Sequence, residues 1–137
     1  MDQESFETKC RENGLKLTPQ RLAIFQELAG SRDHPSTDRV FQKIRKKFPR
    51  ISFDTVNRTL LTFSDMGLIR VVEGCAGGRC FDTNTSPHHH LRCIKCHAII
   101  DFYNKTYDEM QIPEELPAKF KVLGKKVVLE GLCEKCG

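Results

Sequence analysis

Apolar residues recur at helical spacing through the first half of the chain. Thr18, followed by a proline, has the features of a helix start, and Gly30 ends that helix. Ser36 and Ser52 are candidate N-caps of two further helices, and residues 3–13 form a polar surface helix. The side chains predicted to face the core are Leu22, Phe25, Leu28, Ala29, Val40, Phe41, Ile44, Phe48, Val56, Leu60 and Phe63.

A two-stranded ribbon is predicted after the fourth helix. Residues 68–72 and 79–82 are strand-like, and the glycine-rich segment 73–78 between them is typical of a hairpin turn. Helices followed by such a ribbon are the order of a winged helix-turn-helix, whose recognition helix enters the major groove of DNA. A small α+β domain without a nucleic-acid function has the same order of elements, so the pattern alone leaves both interpretations open.

A second, smaller domain is predicted beyond a polar hinge at residues 83–87. Its strand-like runs are residues 90–94, 98–102 and 121–133, with a short helix or turn region over 108–119. So few strands leave unpaired edges and little core, which predicts pairing with a second copy of the chain. We therefore predict an α+β fold with domains at residues 1–83 and 84–137.

Charge and hydropathy narrow the class of protein. The 137 residues carry a net charge of +4, and residues 39–58 hold seven Lys or Arg against one acid. A basic run of this kind is either a solvated helix face or a source of phosphate contacts. No apolar run reaches the roughly 18 to 20 residues of a membrane span, and the acidic start is unlike a signal peptide. We predict a cytoplasmic protein without a membrane partner.

Four of the seven cysteines fall in two Cys-x-x-Cys pairs, which favours metal binding over disulfides in a reducing compartment. The four are Cys93, Cys96, Cys133 and Cys136, enough for a closed tetrahedral structural Zn²⁺ site. A closed site has no open position for a substrate, so no catalysis is assigned to it. Cys10, Cys75 and Cys80 lack metal spacing. The last two are interpreted as ordinary strand and turn residues, and a thiol switch there is the less favoured alternative.

Histidines and carboxylates near the first cysteine pair indicate a second metal chemistry. His88 and His90 alternate, so on a strand their imidazoles share one face. Asp82 and Asp101 lie close enough in sequence to converge there, although each is also a candidate turn residue. His34 is distant, and by itself is interpreted as a surface or capping histidine. Three imidazoles and two carboxylates would suit a labile Fe²⁺ or Mn²⁺.

Several motifs occur in the order found in a known family. They are Leu-Thr-Pro-Gln-Arg at 17–21, His34-Pro35-Ser36, Ile-Ser-Phe-Asp-Thr-Val at 51–56, Gly67-Leu68-Ile69, residues 88–96 and the last Cys-x-x-Cys. Over nearly its whole length the chain resembles the ferric uptake regulator superfamily of bacterial repressors. The resemblance implies a winged-helix domain, a dimerisation domain with zinc on the four cysteines, and a homodimer on palindromic double-stranded DNA operators. It also implies a regulatory Fe²⁺ or Mn²⁺ on His34, Asp82, His88, His90 and Asp101.

Asp101 distinguishes two branches of that superfamily. Iron-uptake sensors usually carry Glu at this position, whereas peroxide sensors usually carry Asp. The resemblance therefore implies a metal-dependent repressor that senses hydrogen peroxide through Fe²⁺-mediated oxidation of His34 and His88. Such a reaction consumes the protein, so we predict no enzyme activity and no small-molecule substrate beyond peroxide as the signal. The alternative is an iron-responsive repressor of the ferric uptake type.

Six residues are predicted to contact DNA: Thr55, Asn57, Arg58, Lys46, Lys47 and Arg21. The family usually has Tyr where this chain has Asn57, and Arg58 is more similar to the iron-sensing branch. Two other classes of protein, a zinc enzyme and a thiol switch, also use cysteine and histidine clusters. A zinc hydrolase or deaminase needs an open zinc site with a glutamate base, and neither of the usual patterns occurs in the sequence. A thiol switch would instead oxidise the four zinc cysteines together.

Overall fold

The structure, a computed structural model, describes residues 2–31, 33–75 and 78–137, and at residues 73 and 74 the backbone alone. The chain divides into two compact units, Met1–Thr85 and Ser86–Gly137. The first unit contains four helices followed by a hairpin. The second unit contains a three-stranded sheet and one short helix. The predicted α+β class is confirmed, while the functions predicted for the two domains stay predictions.

Each of the first four helices begins at a capping side chain. They are α1 (Gln3–Glu12), α2 (Pro19–Ala29), α3 (Thr37–Lys47) and α4 (Phe53–Asp65). Thr18, Ser36 and Ser52 accept a hydrogen bond from the backbone N–H three residues on, which satisfies a donor at each helix start. Gly67 follows α4 with a φ of +75°, a conformation that glycine adopts without strain. The predicted starts of α2, α3 and α4 are therefore confirmed.

The hydrophobic core of the first unit lies among the four helices and the hairpin. Its fully buried members include Phe6, Ile24, Leu60 and Phe63. The Phe6 ring stacks on Phe25 at a centroid distance of 4.0 Å and meets Phe63 edge-on at 5.3 Å. The predicted core positions of α3 and α4 are buried or partly buried. Ala29 is exposed, contrary to prediction, because α2 turns Ala23 and Ile24 toward the core instead.

The predicted ribbon is an antiparallel hairpin of β1 (Arg70–Cys75) and β2 (Gly78–Asp82). Ala76 and Gly77 of its predicted turn lie outside the described residues. The register shifts between Val72 and Cys75, which indicates a β-bulge or similar irregularity. A correction concerns the cysteines of this hairpin, because Cys75 and Cys80 are joined by a disulfide bond rather than being ordinary strand and turn residues.

The sheet of the second unit has the strand order β4-β3-β5, with β3 (His89–Cys93), β4 (Ile99–Phe102) and β5 (Val128–Gly131). β4 is antiparallel to β3, and β5 is parallel to it. The strand predicted over 121–133 is thus only four residues long. A one-turn helix, α5 (Lys105–Asp108), begins before the helix or turn region predicted at 108–119, because Asn104 caps it by accepting from the Tyr107 N–H.

Burial in the second unit follows an unusual pattern. Its buried side chains among the described residues are three histidines, 88 to 90, and Cys93, whereas large apolar side chains remain exposed. Leu91, Ile100 and Leu129 are neighbours across the three strands and are 37%, 50% and 42% exposed. We call these three residues the apolar sheet face. Buried polar groups and exposed apolar groups are the reverse of the usual arrangement in a small domain.

No helix among the described residues has the length and apolar character needed to cross a bilayer.

Candidate functional site

Four cysteine sulfurs converge at one end of the sheet in the second unit. Cys93 ends β3, and its register with Gly131 of the parallel strand β5 places Cys133 and Cys136 beside it. The four Sγ atoms lie within 4.8 Å of one another, and Cys96 and Cys133 are 3.6 Å apart. Zn–S bonds of about 2.3 Å in a tetrahedron separate the sulfurs by about 3.8 Å. The donor set therefore fits a closed zinc site.

Hydrogen bonding makes the four thiols unequal. The Cys93 Sγ accepts from the backbone N–H of Cys96 at 3.5 Å and of Cys133 at 3.4 Å. These N–H donors, that of Cys96 first, favour the thiolate and lower the pKa of Cys93 to about 5. A hydrogen bond with the Cys133 side chain raises the pKa of Cys136 to about 12. Cys93 therefore ionises more readily than Cys136, and the thiolate is the form that binds a metal ion.

A second cluster lies on the opposite face of the same sheet. His90 pairs directly with Asp101 across β3 and β4, so their side chains point to one side. The His90 Nε2 lies 3.2 Å from the Asp101 Oδ1 and 3.1 Å from the His88 Nε2. The Asp101 Oδ1 is also 3.5 Å from the His88 Nε2. Two buried imidazoles and a carboxylate therefore converge, as the alternation predicted.

The outer nitrogen of His88 fixes its orientation. Its Nδ1 lies 2.6 Å from the Ser86 carbonyl oxygen, and because a carbonyl can only accept, Nδ1 carries the proton. The Nε2 of this tautomer has a lone pair directed into the cluster. Metal-binding histidines are commonly oriented by such a hydrogen bond from the other ring nitrogen.

His89 points to the other face and uses both ring nitrogens within the fold. Its Nδ1 accepts from the Val127 N–H at 3.1 Å, and its Nε2 donates to the Asp108 carboxylate at 2.8 Å. Sequence analysis did not identify Asp108, whose only signal was a carboxylate in a short helix. His89 thus ties α5 and the start of β5 to the central strand, and is a structural histidine.

In the first unit, His34 and Asp82 form a buried pair. The His34 Nε2 lies 3.3 Å from the Asp82 Oδ2, with side chains that are 8% and 6% exposed. Asp82 ends β2, and its Oδ1 accepts from the Asn84 N–H at 2.8 Å. The loop that carries His34 is held to β2 by a hydrogen bond from the Phe81 N–H to the Pro35 carbonyl at 2.9 Å. The interpretation of His34 as a surface histidine is therefore wrong.

Four of the six residues predicted to contact DNA are exposed on the surface of the helices. Thr55 and Arg58 of α4 are exposed, and so are Lys46 and Lys47 at the end of α3. The Arg58 guanidinium binds the Asp54 carboxylate one turn earlier, with Nε 2.8 Å from Oδ2. Arg58 must give up part of this contact to reach a base edge.

Two further predicted DNA contacts are already engaged within the fold. The Asn57 side-chain oxygen accepts from the Thr37 hydroxyl at 3.4 Å, which ties α4 to the start of α3. The Arg21 Nη1 donates to the Lys16 carbonyl at 2.5 Å. Arg21, Thr55 and Arg58 all line a concavity of about 250 Å³ beside α4. No local sequence signal indicates the contact of Asn57 with Thr37.

Comparison with known proteins agrees with these features. Residues 12–130 match the profile of the Ferric uptake regulator family. The chain is 36% identical over 134 residues to the peroxide operon regulator of Bacillus subtilis, covering 97% of this chain and 91% of that protein. It is 34% identical over 126 residues to the peroxide-responsive repressor PerR of Staphylococcus epidermidis, with coverages of 92% and 84%.

A solved structure shows the same fold. The ferric uptake regulator from Pseudomonas aeruginosa, determined with manganese, superposes with a TM-score of 0.72 at 25% identity. The aligned region covers 94% of this chain and 98% of that one. Fold, profile and sequence identity therefore agree, and the chain belongs to the Ferric uptake regulator family.

Proposed function

We propose that this protein is a metal-dependent, DNA-binding transcriptional repressor that senses hydrogen peroxide. The observation that carries the proposal is the convergence of His88, His90 and Asp101 on one sheet face. Buried imidazoles beside a carboxylate are a donor set for a divalent metal and a poor choice for a hydrophobic core. The peroxide-responsive relatives support the same reading.

The regulatory ion is proposed to be Fe²⁺ or Mn²⁺. It would be held by the cluster in the second unit together with His34 and Asp82 of the first unit. Mixed nitrogen and oxygen donors hold such ions less tightly than thiolates hold zinc, which suits a site that must gain and lose its metal. A single ion shared by the two units would couple metal binding to the placement of the DNA-binding unit.

The four cysteines are proposed to hold a structural Zn²⁺. Its contribution would be to fasten Cys133 and Cys136, near the end of the chain, to the end of β3. The fit rests on sulfur separations close to those of a tetrahedral site. Because the second unit buries so little apolar surface, we expect zinc to provide much of its folding free energy.

The first unit, proposed to span residues 1–83, would bind double-stranded DNA through α4. Arg58 and Thr55 would face base edges in the major groove, and Asn57 would contact bases or position α4. The exposed Lys46 and Lys47, with Arg21, would supply phosphate contacts. A palindromic operator follows from two such units related by two-fold symmetry, whose recognition helices are about 34 Å apart.

Residues 84–137 are proposed to form the dimerisation domain of a homodimer. The apolar sheet face supports this proposal, since three neighbouring aliphatic side chains remain about half exposed on one protomer. A two-fold axis would bring the same face of a second copy against it, as in most homodimers. We place the protein in the cytoplasm, with DNA and a second copy as its partners and no enzyme activity.

Peroxide sensing is proposed to act through ligand oxidation. Bound ferrous iron would supply the chemistry that activates hydrogen peroxide. The side chains of His34 and His88 would each gain one oxygen atom and lose their affinity for the ion. Asp101, one carbon shorter than the Glu typical of iron sensors, supports this branch over the iron-responsive alternative. Arg58, which is more similar to the iron-sensing branch, is the residue that favours the iron-responsive alternative.

The test uses anaerobic protein loaded with zinc and Fe²⁺, bound to a duplex selected from a random DNA library. Adding hydrogen peroxide should release the duplex, and peptide mass spectrometry should find one extra oxygen on His34 or His88. Protein loaded with Mn²⁺ is the matched control, and it should stay bound to the duplex with His34 and His88 unmodified. Release of DNA with both histidines unmodified would refute the proposed oxidation mechanism. Failure to select any duplex with either metal would refute the proposal that the protein is a DNA-binding repressor.

A further inference from the structure

The disulfide of the hairpin shares no residue with either of the two proposed metal sites. Cys75 and Cys80 are five residues apart, and their Cα atoms are 6.1 Å apart, within the usual range for a disulfide. In the hairpin register Cys75 faces Gly78, and Cys80 lies two residues farther along the same strand. The two cysteines are therefore diagonal neighbours on one face. The pairing of β1 and β2 therefore places the two sulfurs within bonding distance.

The two cysteines of the disulfide differ in their exposure to solvent. Cys80 is 5% exposed, whereas Cys75 is partly exposed. A reagent in solution therefore reaches Cys75 first, and Cys80 is placed to react with whatever forms on it. The other five cysteines are free thiols, of which Cys10 lies in the core and four form the zinc cluster. Oxidation of the hairpin pair thus consumes no zinc ligand.

β2 links this disulfide to the His34–Asp82 pair. Cys80 forms a β-bridge with Ser36, and the next residue, Phe81, donates its N–H to the Pro35 carbonyl. Asp82 comes two residues after Cys80 and contacts His34 at 3.3 Å. A bond that fixes Cys80 to β1 therefore restrains the strand that holds both the loop and the carboxylate.

We propose that Cys75 and Cys80 form a reversible dithiol–disulfide site, a second oxidant-sensitive centre that needs no metal. A hydroperoxide is the oxidant. The Cys75 sulfur attacks the O–O bond and becomes a sulfenic acid, releasing water or an alcohol. The Cys80 thiol then attacks that sulfur, so that the S–S bond forms and one water molecule leaves. The two thiols supply two electrons to the hydroperoxide, and two molecules of a small thiol reverse the reaction by leaving as their own disulfide.

The disulfide is expected to be reversible because the proposed location of the protein is the reducing cytoplasm. Structural disulfides are rare in the cytoplasm, and those that occur there are usually transient and redox-sensing. This step rests on the cytoplasmic location proposed above. The structural consequence does not depend on the location of the protein. The disulfide joins Cys80 of β2 to Cys75 of β1, and the dithiol form lacks this cross-link.

The experiment equilibrates the full-length, zinc-loaded protein anaerobically in a series of glutathione redox buffers, without iron. Alkylation and peptide mass spectrometry then give the fraction of Cys75–Cys80 disulfide. We expect the pair to pass from mostly dithiol to mostly disulfide within the series, while zinc stays bound. Hydrogen peroxide should also oxidise the pair in protein loaded with Mn²⁺. Cys10→Ala is the matched control and should leave the transition unchanged.

Three results would overturn the proposal. The pair could stay reduced in every buffer, stay oxidised in every buffer as a permanent cross-link, or oxidise only after zinc is lost. The link to Asp82 is tested by amide hydrogen exchange, which should be slower at Phe81 and Asp82 in the disulfide form. Cys75→Ser keeps the buried Cys80 and should exchange like the dithiol form; equal exchange in all forms would refute the link. None of these measurements uses DNA, so they are independent of the repressor proposal.

Discussion

Replacing Leu91 with alanine tests the proposed dimer interface quantitatively. Leu91 lies on the central strand of the apolar sheet face and is 37% exposed in one protomer. Burying a whole leucine side chain is worth about 1.5 to 3 kcal/mol, so burying this exposed fraction is worth about 0.5 to 1 kcal/mol. A symmetric dimer contains the residue twice. Leu91→Ala should therefore weaken dimerisation by about 1 to 2 kcal/mol, or about 5- to 30-fold in Kd.

Sedimentation equilibrium of zinc-loaded protein over a dilution series measures this Kd. The matched control is Leu17→Ala, because Leu17 has nearly the same exposure, 38%, but belongs to the first unit. Thermal unfolding and zinc content establish that each variant is folded. If both variants dimerise like the parent, the apolar sheet face is not the interface. A loss in Leu17→Ala equal to that in Leu91→Ala would likewise contradict the reasoning.

Three further predictions concern DNA and zinc. Asp54→Asn should release the Arg58 guanidinium from its carboxylate partner and change the ranking of duplexes in a selection, whereas an unchanged ranking would mean that Arg58 reads no base. Lys46→Gln should weaken all duplexes alike and flatten the salt dependence by about one unit of slope, as measured by fluorescence anisotropy. Cys133→Ser should lose zinc to a chelator and unfold the second unit at lower temperature, as measured by metal analysis and calorimetry.

The helical half of the fold was predictable because local signals determine it. Thr18, Ser36 and Ser52 cap the helices at the predicted positions, and the apolar spacing identified most of the core. The segment between β4 and β5 was not predictable in the same way. Its apolar residues are mostly exposed in one protomer. The spacing of apolar residues in this segment therefore does not identify side chains that are buried within the chain.

Side chains converge in the structure where their spacing in the sequence predicted it, while the metals assigned to them stay predictions. Two Cys-x-x-Cys pairs required one cluster, and alternation placed His88 and His90 together. Contacts set by tertiary structure have weaker local signals. Local sequence gives no sign of the contact between His34 and Asp82, which only the family resemblance placed in one site, and the disulfide of Cys75 depends on a register that the glycine-rich turn does not specify.

The proposed regulatory site takes its ligands for one ion from residues of both units. Titration of Mn²⁺ into anaerobic, zinc-loaded protein by isothermal calorimetry tests it most directly, with Asp82→Asn and Asp101→Asn as variants. Removing a hydrogen-bond partner of a ligand typically costs about 10- to 100-fold in metal affinity, and losing a ligand should cost at least about as much. We predict one Mn²⁺ site per chain, weakened at least about tenfold by each substitution. Unchanged affinity in Asp82→Asn, with weakening in Asp101→Asn alone, would contradict the account.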